Sequence, residues 1–140
     1  MSQTSLAAFD STLQTTNIWL NDIQDRLGVG DHQRAYQALR AVLHALRDRL
    51  SVDQTAALAA QLPMLIRGFY YEGWHPHDKP LKERHKEEFL AHIAAAFREL
   101  EIDPEEVARA VLQVLSKHVS AGEIASMKQS LPTELRSLWS

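Results

Sequence analysis

The sequence predicts an all-α protein: a duplicated, pseudo-symmetric helical domain of two four-helix halves, each with two long and two short helices. Three observations carry that expectation. Apolar residues recur at spacings of three, four and seven, the period that lays one stripe along one face of a helix. Start and stop signals for helices bracket those stripes. A stretch of the first half also returns in the second at a shift of 69 positions.

The first helix carries Leu6, Phe9, Leu13, Leu20, Ile23 and Leu27 on one stripe. Gly28 ends it, because glycine takes the left-handed conformation at a helix end without steric cost. Val29-Gly30-Asp31 reads as a short turn leading to an N-cap at Asp31. The second helix runs to about Leu50 with Leu39, Val42, Leu43 and Leu46 on its buried face. Ala35, Ala38, Ala41 and Ala45 flank that stripe and let neighbouring helices approach closely, so this helix is expected at the centre. Ser51-Val52-Asp53-Gln54 has the form of a capping box. The short third helix stops at Leu62, since the residue before a proline is pushed out of the helical region, and Pro63 suits the first turn of a fourth.

In that fourth helix Met64, Leu65, Ile66, Phe69 and Tyr70 are apolar nearly all round, the mark of a segment buried on several sides or placed at an interface. The trailing aromatics Phe69, Tyr70, Tyr71 and Trp74 are read as packing between the halves, with an exposed partner-binding patch as the other reading. Residues 75–80, with two prolines and two histidines, form the connector. The fifth helix is expected to start near Leu81 with the charged run Lys82 to Glu88 and to bury Phe89, Ile93 and Phe97. Asp103-Pro104-Glu105-Glu106 supplies an N-cap, a first-turn proline and a capping-box glutamate for the sixth, whose buried face is Val107, Ala110, Val111, Val114 and Leu115. Ser120-Ala121-Gly122-Glu123 reads as another capping box, and a Leu131-Pro132 element closes the chain.

The repeat can be counted. A shift of 69 pairs Arg40-Ala41-Val42-Leu43 with Arg109-Ala110-Val111-Leu112, Leu46 with Leu115, Ser51 with Ser120, Ala56 with Ala125, Leu62-Pro63 with Leu131-Pro132, and Arg67 with Arg136. Those are ten identities in the 31 positions from Arg40 to Tyr70. One residue of adjustment pairs Leu20 with Leu90 and Ile23 with Ile93. The period is too long for the common solenoids and two copies are too few, so the chain is read as one domain, residues 1–140, with repeats over 10–74 and 81–139. Leu62, Pro63, Arg67 and Trp74, with Leu131, Pro132 and Arg136, form a shared structural motif. Each arginine, four positions after its proline, is expected to fork onto carbonyls left open where the preceding helix ends.

The runs Leu39 to Leu50 (Leu-Arg-Ala-Val-Leu-His-Ala-Leu-Arg-Asp-Arg-Leu), Gln61 to Trp74 (Gln-Leu-Pro-Met-Leu-Ile-Arg-Gly-Phe-Tyr-Tyr-Glu-Gly-Trp) and Leu131 to Arg136 (Leu-Pro-Thr-Glu-Leu-Arg) together resemble the bacterial domain-of-unknown-function family 2267. The resemblance covers nearly the whole chain. It implies an all-helical duplicated domain and brings with it no activity, cofactor or binding residue.

Composition narrows the functional classes. The 140 residues are 45% apolar and 24% charged, ordinary globular values, and long enough to bury roughly two thirds of the unfolded surface. A net charge of −3 argues against nucleic acid or an anionic membrane as partner, since both need a basic field. The absence of cysteine removes disulfides, thiolate metal sites and thiol nucleophiles. The N-terminus lacks the basic start and apolar stretch of a signal peptide, and no run reaches the roughly 20 apolar residues of a membrane span. A cytoplasmic location is the simplest reading.

Candidate metal ligands are His75 and His77 in the connector, beside Asp78, and His85, Glu88 and His92, spaced by three and seven. Neither set matches a known zinc spacing, and histidines in a charged region are commonly solvated. Ser51 and Ser120 are explained by capping, and no nucleophile elbow or phosphate loop is present. The sequence favours neither an enzyme nor a cofactor. Arg40, Arg47, Arg49 and Arg109, interleaved with acids, read as solvent-facing. The function expected is therefore that of a small non-enzymatic helical module acting through contacts with a protein partner the sequence does not name; self-association is compatible with it. The alternative is a metal- or small-ligand-binding protein using the histidine-bearing connector and the fifth helix.

Overall fold

The computed structural model describes residues 6–28, 30–97 and 102–139. Residues 1–5 and Val29 of the expected first turn lie outside them. Eight α-helices stand among the described residues: α1 (Ala7–Leu27), α2 (His32–Arg47), α3 (Val52–Ala59), α4 (Met64–Tyr71), α5 (Lys86–Ala95), α6 (Pro104–His118), α7 (Ala121–Ser130) and α8 (Thr133–Arg136). One 3-10 turn, Pro76–Asp78, sits in the connector and another, Ser137–Trp139, closes the described chain. None of the described residues forms a strand.

The helix ends follow local chemistry. Gly28 closes α1 in the left-handed region at φ 67°, and the Asp31 side chain accepts from the Arg34 N–H at the start of α2. Ser51 and Gln54 make both bonds of the capping box that opens α3. Asp103 caps α6 through the Glu105 N–H, with Pro104 in the first turn. Pro63 and Pro132 precede α4 and α8 with nearly the same backbone, φ −57° and ψ 152° against φ −56° and ψ 150°.

Helices α2 and α6 hold the centre. α2 packs on α1, α4, α5 and α6, and α6 on α1, α2, α5 and the closing turn. Leu39, Val42, Leu43 and Leu46 of α2 and Val111, Leu112, Val114 and Leu115 of α6 are buried, and so are Ala35, Ala38, Ala41 and Ala45. Burying such side chains contributes about 1.5–3 kcal/mol each for the larger ones. Specific contacts also tie early residues to late ones. The Trp19 ring stacks on His118 with centroids 4.8 Å apart, and His118 Nε2 lies 2.8 Å from Asp22 Oδ2, a bond that holds the Asp22 carboxyl below its ordinary range. At α7, Ser120 Oγ accepts from the Glu123 N–H, but the Ser120 N–H goes to Gln61 Oε1 at 2.8 Å while Gln61 Nε2 donates back to Ser120 Oγ. A side chain 59 residues away thus takes the place expected for Glu123.

Four expectations are corrected. Helix α5 begins at Lys86 rather than near Leu81, because the preceding segment is held by partners outside itself: the Leu81 N–H donates to Asp48 O at 2.7 Å and Glu83 pairs with Arg49. With α5 at 10 residues against 21 for α1, the second half has one long helix, α6, rather than two. Arg47 and Arg49 are each 5% exposed rather than solvent-facing. Finally, the aromatic run packs chiefly inside the first half, since α4 rests on α1 and α2; Tyr70 is fully buried and its hydroxyl donates to Thr55 O. Burial drives that phenol's pKa upward.

Candidate functional site

A groove of about 820 Å³ opens between α1, α4 and the start of α2. Its walls come from two helical stripes. On α1, Phe9, Thr12, Leu13, Thr16, Asn17 and Leu20 recur at three and four residues and face it; on α4 and its C-cap, Leu65, Gly68, Phe69 and Glu72 do the same, with Met64 beside them. Tyr36 closes one side with His32 and Gln33, its ring meeting Phe69 edge-on at 5.2 Å. Phe9, Met64 and Leu65 are 47%, 48% and 41% exposed, so large apolar side chains stand open to solvent at the rim. Beneath them Thr16 is buried, and its hydroxyl has no hydrogen-bond partner among the described residues.

Helix α4 is fixed in place from both ends. At its start the Leu65 N–H donates to Thr12 Oγ1 of α1 at 3.0 Å. Arg67 reaches back to the end of the preceding helix, Nε to Ala59 O and Nη2 to Leu62 O, both at 2.8 Å. At the other end α2 supplies the caps. His44 Nε2 donates to Phe69 O at 2.6 Å, and Arg47 Nη1 donates to Tyr70 O and Glu72 O. Burial keeps His44 below the ordinary imidazole value despite that bond, so the ring is neutral near pH 7 and serves as a donor to a carbonyl. Helix ends otherwise leave such carbonyls without partners. Arg136 behaves differently from Arg67, since its Nη2 donates to Thr133 Oγ1 within its own short helix. Leu62 and Leu131 are buried beside the two prolines, while Trp74 is half-buried against Tyr71.

The candidate metal ligands are dispersed. His75 and His77 lie near each other in the connector, ring centroids 6.5 Å apart. His85 sits before α5, not on it, with Nδ1 2.9 Å from Glu134 Oε2 of α8. Glu88 accepts from the His85 N–H, and His92 turns to Glu83. The structure gathers instead His85, Glu87 and Glu134, whose ligand atoms lie within 4.8 Å of one another, all exposed. Of these only His85 was legible in the sequence. Glu134 is brought in from 49 residues away and raises the His85 pKa through its hydrogen bond.

The groove itself left one trace in the sequence. At the shift of 69, Met64 and Leu65 of α4 stand where α8 has Thr133 and Glu134. The later pair closes its junction by polar contact, Glu134 accepting from His85 and from the Lys86 N–H; the earlier pair leaves an apolar cleft.

A helical domain built around α2 and α6, with this cleft on one side, falls in the class of small all-α domains whose outer helices frame an apolar groove. No helix among the described residues is long and apolar enough to cross a membrane. The chain belongs to domain-of-unknown-function family 2267, whose model, described as an uncharacterized conserved protein, matches residues 16–138. No curated protein matches the chain.

Proposed function

We propose that this protein is a small non-enzymatic helical module that works by contact with a protein partner, and that the α1–α4 face is its working surface. The observation that supports this reading is the cluster of exposed Phe9, Met64 and Leu65 at the mouth of the groove. Large apolar side chains gathered around a concavity concentrate binding energy when covered. The halves are read as copies of one ancestral unit, supported by the ten matched identities and the matching proline geometry, with the contact face evolved in the first copy only.

A photo-crosslinking amino acid at Met64 tests the reading in the native host. A discrete adduct is expected there, absent when the crosslinker stands at exposed Gln129 on α7 and lost when Phe9→Glu is added. Equal labelling from Met64 and Gln129 would remove the support for this face.

A further inference from the structure

We propose that the groove is a binding site for an uncharged, mainly apolar small molecule that lies against the α4 backbone at Gly68. The proposal goes beyond the contact reading, because it concerns the inside of the groove and holds whether or not a protein covers the rim. A volume of about 820 Å³ lies within the span of small-molecule sites, and such sites are apolar clefts with a few placed polar groups.

Gly68 is the first pointer to a ligand. It stands inside α4, where glycine weakens a helix relative to alanine, and a Cβ built on it meets nothing within 4 Å. Packing therefore does not require glycine there. The missing side chain leaves the α4 backbone open to the groove, which Gly68 lines, so that a bound molecule could approach it closely. The second pointer is Thr16, 6% exposed with an unpartnered hydroxyl, a group that ordinarily finds a partner when buried. The charge pattern then defines the ligand. No lysine or arginine is among the lining residues, and the one lining carboxylate, Glu72, is bound at 2.7 Å by Arg40. The lining histidine, His32, is engaged by Asn21 Oδ1 at 2.7 Å, so a carboxylate, phosphate or ammonium group would meet no counter-ion that is not already shared. An apolar body with a single hydrogen-bonding group, to meet the side chain of Asn17 or Gln33 in the lining, fits.

The test uses N-phenylnaphthylamine, a neutral solvatochromic molecule, with its anionic relative anilinonaphthalene sulfonate for comparison. The neutral probe should bind saturably at one equivalent with blue-shifted emission, and the anion at least tenfold more weakly. Gly68→Leu, at a position where a Cβ meets nothing within 4 Å, puts a side chain into the groove and should weaken the neutral probe at least tenfold while leaving the melting temperature unchanged or raised. Gly122→Leu, on α7 where a Cβ also meets nothing, should bind like the wild type. In the unaltered protein, intermolecular nuclear Overhauser contacts should place the probe against Leu13 and Phe69. Absence of saturable binding, several equivalents per chain, insensitivity to Gly68→Leu or contacts located elsewhere would each overturn the proposal. A Gly68→Leu protein that loses the probe but keeps the Met64 adduct separates this site from the contact surface.

Discussion

Arg67 shows how one side chain can replace the hydrogen bonds that a helix end lacks. Its guanidinium spans Ala59 O and Leu62 O, the carbonyls left where α3 stops ahead of Pro63. A lysine there could point one ammonium at one of them but could not fork across both. Arg67→Lys is therefore expected to lower stability by about 1–2 kcal/mol, the scale of one charged hydrogen bond lost to a partly shielded carbonyl. The sequence treats Arg136 as its equal, and the structure does not. Because Arg136 reaches only Thr133 Oγ1 at an exposed site, Arg136→Lys should change stability by less than about 0.5 kcal/mol. Thermal or urea unfolding of the two variants side by side checks the contrast; equal losses would show that Arg136 makes the carbonyl contacts too.

Between helices, the α5–α8 junction rests on a titrating pair. The hydrogen bond to Glu134 lifts His85 above its ordinary 6.5, and the His85 bond draws Glu134 below its ordinary 4.5. A raised imidazole stabilises the folded state below its unfolded pKa and loses that effect as pH rises through the folded value; a lowered carboxylate stabilises above its unfolded pKa and loses the effect as pH falls through the folded one. The clasp is thus fullest between the ordinary values of 4.5 and 6.5. Histidine-detected NMR titration should place His85 above 6.5, and Glu134→Gln should return it toward that value; an unmoved titration would mean the pair does not form in solution. The same junction shows what a local reading can and cannot find. Gly28, Asp31, Ser51 and Asp103 acted where their neighbours in sequence predict, because each cap is closed within a few residues. The segment before α5 did not, since Leu81, Glu83 and His85 take partners at Asp48, Arg49 and Glu134. A charge run looks helical until a distant partner holds it extended. Arg47 and Arg49 depart from their local pattern for the same reason: they take as partners the carbonyls of Tyr70 and Glu72, and Glu83 and the Phe89 ring, none of them near in sequence.

At the scale of the molecule, the question is whether a half can stand alone. The sequence locates the boundary at the connector, and the interfaces run across it. α1 and α2 bury their inner faces against α6, α2 also meets α5, and α3 meets α7. Ending the chain after Pro80 would leave Trp19 without His118, Gln61 without Ser120 and Arg49 without Glu83, and would strip α6 from α1 and α2 and α5 from α2. Each large side chain so exposed forfeits about 1.5–3 kcal/mol, against a total stability of only about 5–15 kcal/mol for a domain. A few such residues exceed what the fragment could retain. The 1–80 fragment is therefore expected to show reduced helical circular dichroism, no cooperative melt and a tendency to aggregate. Adding the 81–140 fragment should restore both helicity and a single transition, because the missing surfaces are complementary and no covalent link is needed to align them. A 1–80 fragment that melts cooperatively by itself would show instead that α1–α4 form an independent domain, and the packing of α2 on α6 would then be a contact between domains rather than the core of one.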